Sequence, residues 1–301
     1  MRIFITGGTG FVGSHLVQTL LQADHQLTIL SRSGGTSSRP GLDYLKDDPA
    51  KPGEWQAIAA GHDAVINLAG ASLFRPWTEK NKRMIRDSRI LTTANISEAL
   101  SRKEARASVL ISASAVGYYG DRGNTELDEK APPGSDFLAR LAVEWEEQAE
   151  KCSAAGVRVV RCRFGIVLGA DGGALEKMMP VFKLGLGTPL GPGDQWVSWI
   201  HIHDLVTILS YLLNTEKASG AINCTAPSPV TQKGMTSALA DALHRPAFLP
   251  AVPAFVLKTV LGESSQMVLN SQKVVPGVLL EQGFSFTYPD MPSALRQIVT
   301  R

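Results

Sequence analysis

The first thirteen residues, MRIFITGGTGFVG, constrain the fold of this chain more than any other segment. Arg2 to Thr6 predict a short buried strand, glycines follow at once, and the amphipathic stretch Phe11–Leu21 predicts a helix. A glycine turn between a strand and a helix is typical of a dinucleotide-binding unit. A purely structural turn is the alternative, but the flanking elements stand in the order that cofactor binding requires.

Each glycine of this turn has a separate physical task. Gly7 permits the tight turn, Gly10 lets the backbone approach a pyrophosphate, and Gly13 lets the helix pack closely on the strand. The anion then rests on free N–H groups at the helix N-terminus, where the helix dipole favours negative charge. The cofactor-binding residues predicted here are Gly7, Thr9, Gly10, Phe11, Val12 and Gly13.

Strand-like and helical segments alternate through the first two-thirds of the chain. The predicted strands are Ile3–Thr6, Leu27–Ser31, Ala64–Leu68, Val109–Ser112 and Val157–Phe164, and the predicted helices are Phe11–Leu21, Thr78–Ser101 and Phe137–Ala155. Near-continuous apolar strands separated by helices indicate a parallel sheet covered on both faces. Right-handed crossovers then give an α/β, doubly wound (Rossmann) fold.

The composition of the sequence changes after Gly165. Glycine and proline become dense from Gly169 to Gly193, and WVSWIHIHDLVTILSYLL then predicts a strand that runs into a helix. We therefore predict a dinucleotide-binding core over residues 1–165. Residues 166–301 are predicted to form a small substrate-side lobe of mixed α/β structure that partly completes the core.

The bulk composition excludes several classes of partner. The 301 residues are 44% hydrophobic and carry a formal charge of +2, which offers no electrostatic footprint for nucleic acid or an anionic membrane. Three cysteines without a CxxC pair, no signal-peptide pattern and no long apolar run indicate a cytoplasmic protein. A small-molecule substrate is expected, and a homodimer is compatible with the sequence.

The end of the second predicted strand distinguishes between the two nicotinamide cofactors. NAD enzymes place an acidic residue there, about 20 residues beyond the glycine motif, on the ribose hydroxyls. This chain has Ser31 and Arg32, and an arginine can pair with a 2′-phosphate that a carboxylate would repel. The alternative is a solvated loop arginine. The pattern favours NADP over NAD.

Several further segments resemble the short-chain dehydrogenase/reductases of the extended, epimerase/dehydratase type. The matching segments are GGTGFVG at 7–13, NLAG at 67–70, ISASAVGYYG at 111–120, IHIHDL at 200–205 and ESSQMVLNSQKVVP at 263–276. They look most like an atypical subgroup of unsettled function. The resemblance implies that Leu68, Ala69 and Gly70 pass the cofactor's ribose. It also places Arg89 where ordinary members have an asparagine facing the cofactor, which favours Arg89 as a ligand of a phosphate or of the nicotinamide ribose.

The chain departs from this family at the residues that transfer protons. Ordinary members carry a tyrosine acid/base followed four residues later by a lysine, and often by a glutamate four residues beyond. Here, anchoring on Glu146 places Leu138 in the tyrosine position and Ala142 in the lysine position, and a shift by one gives Phe137 and Leu141. Leu138 is therefore expected to face the cofactor without supplying a titratable group.

Three hydroxyl residues are the remaining catalytic candidates. Ser114 resembles the family's catalytic serine, which orients substrate, and Tyr118 or Tyr119 just beyond it could act as an acid. Without a nearby cation such a tyrosine would keep a pKa near 10, which is poor for work at neutral pH. Packing of the turn, with one hydroxyl in the pocket, is the alternative interpretation.

Other polar and aromatic residues have mainly structural interpretations. His201, His203 and Asp204 could hold a metal by residue type, but Asp204 as a helix cap is favoured, so no metal site is predicted. Arg161 and Arg163 share a strand face, and either could pair with Asp204 or hold an anionic substrate. Near the glycine-rich stretch stand Lys177, Met178, Met179, Lys183 and Trp199, of which the apolar members are expected to pack, with Trp199 a candidate to line an aromatic site.

Two functions from different classes remain open from the sequence. The first is an NADP-dependent oxidoreductase or epimerase that acts on a small carbonyl or hydroxyl substrate with a non-standard acid/base. The second is an NADP-binding sensor or scaffold without turnover. Retention of a cofactor site does not by itself imply chemistry.

Overall fold

A computed structural model describes residues 1–300 of the 301. The strands in this range are β1 (Arg2–Thr6), β2 (Gln26–Ser31), β3 (Leu42–Lys46), β4 (Ala64–Asn67), β5 (Val109–Ala115), β6 (Glu126–Leu127), β7 (Arg158–Phe164), β8 (Ile166–Gly169), β9 (Trp196–Val197), β10 (Trp199–His201), β11 (Gly220–Cys224), β12 (Val230–Thr231) and β13 (Lys273–Val274). The α-helices are α1 (Phe11–Gln22), α2 (Trp55–Ala60), α3 (Glu79–Leu100), α4 (Phe137–Glu150), α5 (Gly173–Lys183), α6 (Ile202–Asn214), α7 (Gln232–Ala242), α8 (Ala254–Leu261), α9 (Gln266–Leu269), α10 (Gly277–Glu281) and α11 (Met291–Val299). Short 3₁₀ turns cover Val116–Tyr119, Lys151–Ala155 and Gly262–Ser265.

Seven strands form one sheet in the order β11-β7-β5-β4-β1-β2-β3. All neighbouring strands in it are parallel. The order reverses between β1 and β4, and ligands of such sheets bind beyond the carboxyl ends of the strands at this switch point. The predicted doubly wound fold is confirmed.

Alternating side chains of the strands supply the cores on the two faces of the sheet. Ile3 and Ile5 of β1 belong to a buried cluster that also contains apolar residues of α1 and α6. Phe4 points the other way, into a cluster with Trp55 of α2, Ile96 of α3 and one residue of α4. Helices therefore cover both faces, as a sheet of near-continuous apolar strands requires.

The predicted elements agree with the structure except at the edges of the sheet. All five predicted strands and all three predicted helices are present, although α4 ends at Glu150 and continues as a 3₁₀ turn. The sequence missed β3, β11 and the short helix α2. In β3 only Leu42 is fully buried, so this edge strand lacks the apolar run that identifies the central strands.

The last third of the chain both completes the sheet and builds a second core. Strand β11 is an outer strand of the main sheet, and α6 packs against α1. A separate apolar cluster collects residues of α5, α7 and α11 around the buried Trp199. The division at residue 165 stays a prediction, since main-sheet elements lie on both sides of it. No helix within residues 1–300 combines the length and apolar character needed to span a membrane.

Candidate functional site

The glycine turn after β1 leaves no room for a side chain at either end. Gly7 has φ +74°, and a Cβ there would lie 2.6 Å from the carbonyl carbon and oxygen of Leu68. A Cβ on Gly13 would lie 2.2 Å from the carbonyl oxygen of Gly7. Both predicted roles, the tight turn at Gly7 and the close helix–strand contact at Gly13, match this geometry.

Helix α1 follows this turn, and its N-terminus has no side-chain cap. Gly10 is the N-cap and offers no side-chain acceptor. The N–H groups of Phe11, Val12 and Gly13 have no intrahelical acceptor and suit an anion. The side chain of Phe11 packs against the loop at Gly172, where a Cβ would lie 2.5 Å from its ring, and Val12 packs on the sheet core. Phe11 and Val12 therefore present backbone donors to a ligand.

A cavity of about 490 Å³ opens beside the turn, on the β2 side. Gly8, Thr9, Ser14, Val17, Thr36, Ser37, Ser38, Arg39, Leu42 and Tyr44 line it. Several hydroxyls and one arginine near a helix N-terminus form a set of donors suited to a phosphate. Sequence reasoning missed Arg39, because only the return of the loop toward the glycine turn brings it there.

The two residues predicted to select NADP lie at the end of β2. Ser31 is buried, and its hydroxyl lies 3.0 Å from that of Ser33. Arg32 is exposed and is not among the residues that line the cavity. Its side chain is thus free to reach a ligand, and its role as a phosphate ligand stays a prediction.

The segment after β4 forms the opposite wall of the turn. The N–H of Leu68 donates to the carbonyl of Thr6 (3.0 Å), which joins the two strand ends. Asn67 holds the segment through its Oδ1, which accepts from the Thr6 hydroxyl at 2.7 Å and from the N–H of Ala69 at 3.3 Å. Leu68 and Ala69 therefore lie beside the glycine turn at the switch point. That Leu68, Ala69 and Gly70 pass the cofactor's ribose stays a prediction.

Arg89 of α3 reaches this wall from a half-buried position. Its Nη1 donates to the carbonyl oxygens of Ala71 (3.1 Å) and Ile85 (3.0 Å). The guanidinium lies over the ring of Trp145, 5.2 Å from the centroid. No carboxylate of residues 1–300 forms an ion pair with it. Burial lowers the pKa of Arg89 to about 10.

The tyrosine and lysine positions of the family contain apolar residues in the structure. Leu138 lies in the first turn of α4 and packs on Gly117, where a Cβ would be 3.2 Å from the Cβ of Leu138. Ala142 follows one turn later and is buried. Leu138 belongs to a partly exposed apolar group with Leu68, Leu73, Phe137, Phe164 and Met267. No titratable group takes the place of the acid on this helix face.

Ser114 does not present its proton to a ligand, contrary to the expected role of orienting substrate. It is 2% exposed, and its hydroxyl donates to Glu146 Oε1 at 2.7 Å. Glu146 also accepts from Nε and Nη2 of Arg163, both at 2.8 Å. The predicted pairing of Arg163 or Arg161 with Asp204 is wrong. Arg161 lies near Glu146 and Glu150 instead.

Tyr119 is also unavailable as an acid. Its ring is fully buried, and its hydroxyl donates to Asn223 Oδ1 (2.8 Å) while accepting from Arg163 Nη1 (2.9 Å). Burial raises the pKa of Tyr119 to about 12. The assignment of Tyr119 as a catalytic residue is therefore corrected, because the group is a fixed member of a buried polar network.

Tyr118 keeps a free hydroxyl. Its side chain is half-buried, and within residues 1–300 the hydroxyl makes no hydrogen bond. The guanidinium carbon of Arg163 lies 3.5 Å from the centroid of its ring. The cation that the sequence did not reveal is thus beside Tyr118, although Glu146 already pairs with it.

The remaining candidates are structural. His201, not Asp204, is the cap of α6, because its Nδ1 accepts from the N–H of His203 at 3.1 Å. Asp204 accepts from the backbone N–H groups of Thr287 and Tyr288, both at 2.9 Å. Trp199 is fully buried in the second core and lines no open site. Met178 and Met179 pack against the same core, whereas Lys177 and Lys183 are exposed.

Two family models match the chain. Residues 3–225 match the NAD dependent epimerase/dehydratase family, and residues 252–298 match a domain of unknown function. The first match covers β1 to β11, and the second covers the segment from the start of α8 into α11.

Relatives that match nearly the whole chain are also called epimerase family proteins. An Arabidopsis thaliana protein called epimerase family protein SDR39U1 homolog, chloroplastic, is 42% identical over 99% of this chain and 87% of its own length. Epimerase family protein YfhF of Bacillus subtilis is 38% identical over 99% of this chain and 98% of its own. A crystal structure of human epimerase family protein SDR39U1 with NADPH superposes with a TM-score of 0.88. It is 33% identical and covers 100% of this chain and 99% of that one.

Proposed function

This chain belongs to the NAD dependent epimerase/dehydratase family, and on that premise we propose that it is an NADP(H)-binding oxidoreductase that acts on a small carbonyl or hydroxyl substrate. The observation that carries the proposal is the intact cofactor crevice. The glycine turn, the uncapped α1 and the cavity around Arg39 together supply donors for a pyrophosphate and a further phosphate. The human relative of this fold was crystallised with NADPH.

Different groups of residues hold the different parts of the cofactor along the carboxyl edge of the sheet. The first turn of α1 receives the pyrophosphate, while Ser31, Arg32 and Arg39, on the β2 side, receive the 2′-phosphate. The nicotinamide half then lies toward β4 and β5, beside Gly70 and Leu138. Bound NADPH provides hydride donation at this end of the crevice. The apolar residues around Leu138 exclude water from it.

The missing acid limits the substrates that this site can serve. Deprotonation of an unactivated alcohol, which sugar epimerisation requires, needs a base within hydrogen-bond reach. Leu138 and Ala142 provide none, Ser114 donates to Glu146, and Tyr119 is fixed by Asn223. Reduction of an electron-poor carbonyl compound does not need a strong positioned acid. The anion formed by hydride transfer is stable enough to take its proton from solvent or from Tyr118. We therefore favour reduction over epimerisation.

The 2′-phosphate assignment has a direct test. Arg32→Ala and Arg39→Ala should each weaken NADPH binding about tenfold, the weight of one charge-assisted hydrogen bond, and leave NADH binding nearly unchanged. Titration calorimetry measures the dissociation constants for both cofactors, and the ratio of the NADH constant to the NADPH constant is compared between variants. The exposed Arg245→Ala is the control. A ratio unchanged in both variants would show that neither arginine holds the phosphate.

Turnover decides whether the site is catalytic. We expect NADPH oxidation, followed at 340 nm, with at least one member of a panel of conjugated carbonyl compounds and quinones. Tyr118→Phe should then lower kcat by about a hundredfold if Tyr118 is the proton donor, within the range for general acid catalysis. Full activity in Tyr118→Phe would remove the tyrosine from the mechanism and leave solvent as the proton source.

The second candidate function is an NADP(H)-binding sensor or scaffold without turnover. The apolar residues Leu138 and Ala142 in the acid–base positions favour it. It predicts tight NADPH binding, no turnover across the panel, and an interaction with another protein that depends on cofactor occupancy. Sustained multiple turnover would exclude it. In either case we propose a cytoplasmic protein, which fits its three buried free cysteines, and a homodimer stays a proposal.

A further inference from the structure

A partly exposed apolar surface lies beyond the carboxyl ends of the sheet strands on the far side of the switch point from β2. We call it the apolar mouth, and it consists of Leu68, Leu73, Phe137, Leu138, Phe164 and Met267. Leu68 follows β4 and Phe164 ends β7, so both stand at the edge where ligands of a doubly wound sheet bind. The apolar mouth therefore belongs to the half of the site that we assign to the nicotinamide.

Buried indole rings support the apolar mouth from beneath. Trp77 and Trp145 are 7% and 6% exposed and belong to the cluster on which it packs. The rings of Phe137 and Trp77 meet at 62°, with their centroids 5.1 Å apart. Both indole N–H groups are used inside the protein, by the carbonyl of Leu73 and the hydroxyl of Thr93. The surface thus offers a ligand rings, alkyl groups and a thioether, and no charged group.

The cations near the apolar mouth have other neighbours. Lys82 of α3 lies 5.6 Å from the centroid of the Phe137 ring, and its ammonium forms an ion pair with Glu263. Glu263 stands in the 3₁₀ turn directly before α9, so this ion pair joins α3 to the segment that carries the thioether of the mouth. Arg89 is turned toward Gly70. A charged substrate would lose hydration against this surface and gain no ion pair.

We propose that the apolar mouth selects a planar, uncharged aromatic carbonyl compound as the substrate. The inference rests on the NADP(H)-dependent oxidoreductase proposed above and deepens it by naming the substrate class. The substrate ring packs on Phe137 and Met267, since aromatic rings and thioethers both make favourable contacts with a ring. In the reduction, the carbonyl carbon gains the hydride of NADPH, its oxygen gains a proton from solvent, and NADP⁺ is the oxidised product.

Two ligands that differ by one sulfonate group test the selection against charge. The probes are 9,10-phenanthrenequinone and its 3-sulfonate, each titrated into protein loaded with NADP⁺, which cannot donate a hydride. Quenching of the fluorescence of Trp77 and Trp145, beneath the mouth, reports binding. We expect the quinone to bind about tenfold more tightly or better, because the sulfonate must give up hydration without an ion pair. Equal affinities, or tighter binding of the sulfonate, would overturn the proposal.

Met267→Lys tests whether this residue sets the preference. Met267 is partly exposed, so a lysine can pack its stem on the mouth and place a cation at the rim. We expect the ratio of the two dissociation constants to shift by about tenfold or more toward the sulfonate. Met267→Leu should keep the ratio within about twofold, and so should the control Leu184→Lys, at a 75% exposed position that caps α5. An unchanged ratio in Met267→Lys would overturn the proposal.

Turnover separates this inference from the proposed function. Oxidation of NADPH by 9,10-phenanthrenequinone, followed at 340 nm, would support both. Selective binding of the quinone without NADPH oxidation would reject the oxidoreductase and still support the ligand class of the apolar mouth. Oxidation of NADPH by other carbonyl compounds, with no binding of the quinone, would overturn the substrate class and leave the oxidoreductase in place.

Discussion

Gly13→Ala is expected to reduce NADPH affinity by about a hundredfold or more. The new Cβ would lie 2.2 Å from the Gly7 carbonyl oxygen and 2.7 Å from the Cα of Gly8. Both neighbours are backbone atoms, so the clash is relieved only if α1 moves away from the glycine turn. That movement withdraws the first-turn N–H groups from the pyrophosphate. Loss of two charge-assisted hydrogen bonds of about 1.5–3 kcal/mol each gives an effect of this size.

The same substitution has two opposing effects on stability. Alanine is preferred over glycine inside a helix by about 1 kcal/mol. Overpacking against rigid backbone costs about 1–3 kcal/mol and should exceed this gain. We therefore expect a small net loss in the free energy of unfolding, far smaller than the loss in binding energy. Gln18→Ala, at an exposed position of α1, is the matched control for both measurements.

Titration of NADPH against Gly13→Ala and urea unfolding of the cofactor-free protein separate the two effects. Affinity within about threefold of the unmodified chain would contradict the assigned role of the turn, since a difference that small is below one hydrogen bond. A protein that unfolds without added urea would leave only Gly7→Ala to compare. That change is blocked by a φ of +74° as well as by the Leu68 carbonyl, so it must give the same loss of binding.

The glycine turn could be predicted from sequence because its chemistry is local. Strand, turn and helix follow one another within 22 residues, and the task of Gly13 depends on Gly7 and Gly8 of the same segment. The contact of Gly7 with Leu68, after β4, could not be read from that segment. Ser31 and Arg32 could be chosen by the same logic, from their distance beyond the motif. Arg39 could not, because its place in the cavity depends on the path of the loop between β2 and β3.

Two of the three catalytic candidates, Ser114 and Tyr119, failed for the opposite reason. The acceptor of Ser114 is Glu146, 32 residues away, and that of Tyr119 is Asn223, 104 residues away. No periodicity or motif spacing reports such contacts, which exist only after α4 and β11 pack against β5 and β7. The wrong pairing of Arg163 with Asp204 has the same origin. Both charges lie inside, but Arg163 pairs with Glu146 of α4, and Asp204 accepts from the backbone N–H groups of Thr287 and Tyr288.

The buried pair of Arg163 and Glu146 carries the largest expected effect on stability. Their side chains are 4% and 5% exposed, and two parallel hydrogen bonds of 2.8 Å join them. Removal of Arg163 leaves the buried Glu146 carboxylate with only the more distant Arg161, whose Nη1 lies 3.7 Å away, and loss of one partner of such a pair costs about 3–5 kcal/mol. Arg163→Met should therefore lower the free energy of unfolding by about that amount, measured by urea denaturation. The control is Arg106→Met, at an exposed arginine 3.9 Å from Asp63. It should lower the free energy of unfolding by no more than about 0.5 kcal/mol.

The double variant separates the net contribution of the pair to stability from the penalty of leaving one charge unpaired. Glu146→Leu with Arg163→Met removes both charges at once, so the large penalty of an unpaired charge disappears. What remains is the loss of acceptor and donor for Ser114 and Tyr119, at about 1–3 kcal/mol for each group left unsatisfied. The double variant should therefore be more stable than the sum of the two single losses predicts, by about 1 kcal/mol or more. Strictly additive losses would mean that the two charges act independently, which would contradict their description as a coupled buried pair.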